Sequence, residues 1–138
     1  MKRLLVVHRF PIVRYGVIKL VEAHGHDVLV DEAATASLAL QRVRKANWDL
    51  VVVGLSLGDR NGLELLKALK MLRPNMPVLV FSTHSEEVYA RRSFKAGAAG
   101  YVTIDVLRAS SLGAGRLTNT KRANLQSARR LIGRSLVA

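Results

Sequence analysis

The sequence contains no cysteine. Disulfides, thiolate metal sites and cysteine nucleophiles are therefore excluded. No apolar run approaches the roughly 18 residues needed to cross a membrane. The amino-terminal stretch MKRLLVVHRFPIV looks superficially like a signal peptide. His8, Arg9 and Pro11 break its apolar run, so it reads as a buried strand, and a cytoplasmic location without membrane association is expected. Residues 106–138 contain neither an aromatic nor an acidic side chain. The histidines at 24, 26 and 84 lie in separate segments without metal-ligand spacing, so no metal site is expected.

What is present is basic and unevenly distributed. The 138 residues carry a net charge of +12. Residues 1–105 hold 15 Lys and Arg against all 10 Asp and Glu, a net of +5, while residues 106–138 hold seven basic residues, a net of +7. This shift marks a boundary near 105–117. It separates a domain over 1–105, extensible to 117, from a basic tail over 106–138. The chain is long enough for one domain with a substantial core and too short for two large ones.

Four short apolar runs stand out: RLLVV (3–7), DVLVD (27–31), LVVV (50–53) and PVLVF (77–81), with a weaker fifth, GYVT (100–103). Rich in Val and Leu and with little alternation, they fit strands of a parallel sheet covered on both faces. Helical spacing fills the gaps. The apolar stripes are Ile12, Val13, Val17, Leu20 and Val21; then Ala36, Leu38, Ala39, Leu40 and Val43; then Leu63, Leu65, Leu66, Leu69 and Leu72. A weaker face is Val88, Tyr89, Ser93, Phe94 and Ala96. Pro11 suits a first helical turn, Thr35 can cap, and Ser85-Glu86-Glu87 sets carboxylates at a positive helix end. In the tail, residues 119–136 predict a short basic amphipathic helix. Leu125, Ala128, Leu131, Ile132 and Leu136 share one face, with Lys121, Arg122, Arg129, Arg130 and Arg134 around it. Strand and helix alternate, so the expected fold is α/β: an open, doubly wound parallel sheet of three layers with right-handed crossovers. In such folds the functional positions lie beyond the carboxyl ends of the strands. Here those are His8-Arg9, Gly54, Ser82 and Thr103-Ile104.

The segments PIVRYGVIKLVE, DEAATASLALQRVRKANWDLVVVGLSLGDRNGLELLKALK and PVLVFSTHSEEVYARRSFKAGAAGYVT together resemble the receiver domain of bacterial two-component response regulators of the NarL/FixJ type. The segments NGLELL and AGAAGY carry the resemblance most specifically, and it covers about residues 1–105. It implies a flavodoxin-like, CheY-like five-stranded sheet in the order 2-1-3-4-5. It also implies a self-phosphorylating switch. In the family an acidic pair after the first strand holds Mg²⁺ with a phosphoacceptor Asp at the end of the third. A Lys after the fifth strand meets the phosphoryl charge, a Ser or Thr after the fourth bonds it, and an aromatic residue on the fifth follows.

Carried onto this chain, the acidic pair becomes His8 and Arg9, the phosphoacceptor Gly54 and the lysine Ile104. Ser82 and Tyr101 alone match, as the hydroxyl and aromatic switch positions. The expectation is a degenerate receiver that is not an enzyme, binds no Mg²⁺ or other cofactor, and works through a protein partner or as a homodimer. Arg9 could instead turn the pocket into an anion site, or fill the space left by the missing aspartate and pair with Asp59 or solvent. The alternative function is a DNA-binding accessory regulator. It would act through the tail cations Lys121, Arg122, Arg129, Arg130 and Arg134, although the tail has no aromatic for base stacking.

Overall fold

The computed structural model describes residues 1–23, 27–82, 87–103 and 119–136. Five parallel strands form one sheet: β1 (Lys2–Val7), β2 (Val28–Ala33), β3 (Leu50–Gly54), β4 (Val78–Ser82) and β5 (Gly100–Thr103). Their order is β2-β1-β3-β4-β5, the expected doubly wound topology. The helices are α1 (Pro11–Glu22), α2 (Ala36–Lys45), α3 (Gly62–Leu72), α4 (Glu87–Lys95) and α5 (Asn119–Leu136).

Strands β3, β4 and β5 are buried at every position, which explains their unbroken apolar sequences. Alternate residues feed two cores. On one face Leu5, Val7, Val51, Val53, Val78 and Val80 meet buried side chains of α2, α3 and α4. On the other, Leu4, Val6, Val52, Leu79, Phe81 and Val102 meet Val17 and Val21 of α1 and Leu125, Ala128, Leu131 and Leu136 of α5. Sheet and two helical layers thus make the three-layer architecture.

The capping expectations hold where residues are described. Pro11 occupies the first turn of α1, and the Thr35 hydroxyl accepts the Leu38 N–H at 3.2 Å at the start of α2. Ser85 and Glu86 lie outside the described residues. Two helical faces need correction. Ile12 is not on the buried stripe of α1 but 76% exposed, because α1 turns Val17 and Val21 to the sheet. In α4 the buried residues are Ala90 and Ser93, while Val88 and Phe94 are 38% and 43% exposed. The predicted basic helix over 119–136 is present as α5, and its apolar face forms part of the second core. The boundary region 105–117 lies outside the described residues.

Candidate functional site

The carboxyl ends of β1, β3 and β4 converge, as the topology requires. Register sets Val7 beside Val53 and Gly54 beside Phe81. The first residue beyond β1 is His8, held at three points. Its backbone N–H donates to the Ala33 carbonyl at 3.1 Å, and its carbonyl accepts from Arg14 Nη1 at 2.6 Å. Its Nδ1 accepts the Phe10 N–H at 3.1 Å. The imidazole is turned inward and only 5% exposed.

The ring comes to rest on Gly54. A Cβ built on Gly54 would fall well inside van der Waals contact with His8 Cδ2 and would stand 3.2 Å from Cγ and Nε2. His8 therefore fills the space that a side chain at the tip of β3 would occupy. Burial disfavours the charged imidazole, and the guanidinium groups of Arg14 and Arg9 repel it further. Together they hold the His8 pKa below its ordinary value of 6.5. A neutral ring also matches an Nδ1 that accepts an N–H.

Arg9 does not enter this space. It is exposed, with its guanidinium 4.7 Å from the centroid of the Phe10 ring. Nor does it pair with Asp59. The Asp59 carboxylate reaches the start of α2 and accepts from Ala36 N–H at 2.9 Å, Ser37 N–H at 3.1 Å and Ser37 Oγ at 3.0 Å. The Ala36 bond leads in holding its pKa below the usual carboxylate value. The helix amino terminus thus explains what an acid in the β3–α3 loop does. It ties that loop to α2.

The rest of the loop is equally fixed. The Asn61 side chain accepts the Leu63 N–H at 2.8 Å and caps α3. The Gly62 N–H donates to the Leu55 carbonyl at 2.9 Å. A Cβ on Gly62 would collide with the Gly54 carbonyl oxygen, so the glycine of the NGLELL segment permits this close return of the chain. An open cleft of about 410 Å³ lies along residues 55–61, Leu63 and Tyr89. Neither His8 nor Gly54 lines it.

Ser82 ends β4 and Tyr101 lies on β5 beside Val80. Both are 2% exposed. The Tyr101 ring is inward, packed in the core shared with α4, rather than half-buried as a strand-edge aromatic would be. Ile104 lies outside the described residues. Of the tail cations, Arg122, Arg129, Arg130 and Arg134 are exposed on α5, and Lys121 belongs to the same helix. They are remote in sequence from the strand tips and take no part in the pocket.

Arg14 was not singled out by sequence patterning. It links three elements: Nη1 bonds the His8 carbonyl, and Nε pairs with Glu32 Oε1 at 2.9 Å. A signal existed, since a cation in the first turn of α1 stands six residues beyond the strand tip. Nothing in the spacing, however, pointed it at a backbone carbonyl.

The geometry also tests the fit to Mg²⁺, which needs hard oxygen ligands. Positions 8, 9 and 54 supply a buried neutral imidazole, an exposed guanidinium and no side chain. Among the described residues no group of three or more metal-ligating side chains exists. These residues do not fit the ion.

Strand order, core layers and the converging strand tips define a doubly wound α/β module of three layers. The chain belongs to the response regulator receiver domain family, whose model matches residues 4–109. It is a receiver domain of two-component response regulators. It is 30% identical over 106 residues to the DNA-binding transcriptional activator DevR/DosR of Mycobacterium tuberculosis, covering 77% of this chain and 49% of that protein. It is 32% identical over 105 residues to the methanol utilization control regulatory protein MoxX of Paracoccus denitrificans, covering 75% and 47%. The chain therefore spans about half the length of these relatives. Among solved structures, a LuxR-family two-component response regulator from Aurantimonas sp. SI85-9A1 superposes with a TM-score of 0.69 at 28% identity, covering 93% of this chain and 97% of that one. No helix among the described residues is long and apolar enough to cross a membrane.

Proposed function

We propose that this chain is a degenerate receiver, a regulatory module that acts by protein contact and does not depend on phosphorylation. One observation carries the reading: the His8 imidazole occupies the space beside Gly54 that a phosphoacceptor side chain would need. The acceptor is missing, its space is filled, and the neighbouring cation stands outside. A single reversion at position 54 therefore cannot rebuild the site, because a new carboxylate would meet a buried ring and no metal ligands.

Tyr101 and Ser82, the positions that match the family's switch residues, are both buried. Asp59 and Asn61 pin the loop that follows Gly54, tying it to the starts of α2 and α3. The role left to such a body is recognition, of a protein partner or of a second copy, in transcription control of the kind its relatives' names describe.

The test is incubation with acetyl phosphate and Mg²⁺, read by intact-mass spectrometry. The wild-type chain and Gly54→Asp should both gain no phosphoryl group, and calorimetry should show no Mg²⁺ binding to wild type. A phosphoryl group mapped to any aspartate of the wild-type chain would overturn the reading.

A further inference from the structure

We propose that the outer face of α5 is a docking surface for the phosphate backbone of duplex nucleic acid. The helix has two faces of opposite character. Leu125, Ala128, Leu131 and Leu136 are buried against the sheet, so the helix is anchored and its outer face is presented rigidly. That outer face exposes Arg122, Arg129, Arg130 and Arg134. At 1.5 Å per residue, the row from Arg122 to Arg134 extends about 18 Å. Several phosphates of one strand lie within that span, since a duplex carries one charge per strand about every 3.4 Å.

Three features select this partner. First, residues 106–138 contain no acid, so the helix carries no carboxylate of its own to neutralise the row. Second, the four cations described as exposed on α5 are arginines, whose planar forks match phosphate oxygens in pairs. Third, α5 exposes no large hydrophobic side chain, although α1, α3 and α4 do. A protein interface draws its strength from buried apolar or aromatic anchors. A surface of cations alone suits a ligand bound by charge and counterion release. The absence of aromatics likewise favours a duplex backbone over stacked single-stranded bases.

This inference is independent of the phosphorylation reading. The experiment is fluorescence anisotropy of a labelled random-sequence duplex, titrated with the full chain over a series of NaCl concentrations. Wild type should bind at low salt and lose affinity steeply as salt rises. The triple variant Arg122→Gln, Arg130→Gln, Arg134→Gln should bind about tenfold or more weakly. Its slope of log K against log salt should be shallower by about 3, near 0.9 per lost phosphate contact. Circular dichroism should show the variant folded, since all three side chains are exposed. The control Arg44→Gln, Lys45→Gln removes exposed charge from α2, on the opposite layer, and should bind as wild type does. No binding at low salt, an equal loss in the control, or tighter binding to polyglutamate than to the duplex would each overturn the proposal.

Discussion

The pairing of His8 with Gly54 is the most informative contact in the molecule. A glycine at a strand tip can be read as loss of a reactive group. Here it is also a steric necessity, because the neighbouring strand has placed a ring over its Cα. Gly54→Ala should therefore destabilise by about 1–3 kcal/mol through overpacking. Adding His8→Ala should recover much of that loss, as read from urea midpoints of the two single variants and the double. Gly62→Ala should cost more and should not be rescued by any side-chain change, since its obstacle is the Gly54 carbonyl oxygen. The titration of His8 has a definite sign. Its pKa is lowered in the folded state, so the unfolded chain binds the proton first as pH falls through 6.5. The stability His8 contributes is present above that pH and is lost below it. Denaturation midpoints followed from about pH 8 to about pH 5 should fall for wild type, and His8→Gln should flatten the fall.

Elements are held by caps and by the two apolar layers. Removing the hydroxyl that starts α2, in Thr35→Ala, should cost about 1 kcal/mol. Asp59→Ala should loosen the same helix from the β3–α3 loop, seen as faster amide exchange at Ala36 and Ser37, whose N–H groups it now binds. Helix α5 packs its apolar face into the second core. Leu131 is buried against the sheet, and a Cβ at Gly100 would lie 3.4 Å from its Cδ2. Leu131→Ala should cost about 2–4 kcal/mol. A change confined to the α5 surface, such as Arg130→Gln, should leave the same midpoint within about 0.5 kcal/mol. The amphipathic period over 119–136 was legible because apolar residues recur there at helical spacing. Misplaced residues such as Ile12 and Phe94 were not. Which apolar residues on a helix face the sheet depends on how the helix is docked, and single-residue hydropathy carries no information about that.

For the whole molecule, the dominant quantity is a charge of +12 on 138 residues. Exposed like charges repel in the compact state, and salt screens them over a Debye length of about 10 Å at 0.1 M. The melting temperature should rise as NaCl increases from near zero to about 0.2 M, measured by scanning fluorimetry. A fall over that range would mean that the ion pairs outweigh the repulsion.

By itself the sequence determined the elements, the parallel sheet and which residue types stand at the strand tips: His8, Arg9 and Gly54. These follow from local period, residue type and the residues standing at strand tips. Only the tertiary structure decided how the empty position is filled. Register brings the end of β1 beside the end of β3, and three bonds orient His8 so that its ring, and not the Arg9 guanidinium, takes the space. It likewise assigned Asp59 to the start of α2 and turned Tyr101 inward. Such choices depend on which groups meet across the fold and how completely each is desolvated, and linear spacing encodes neither.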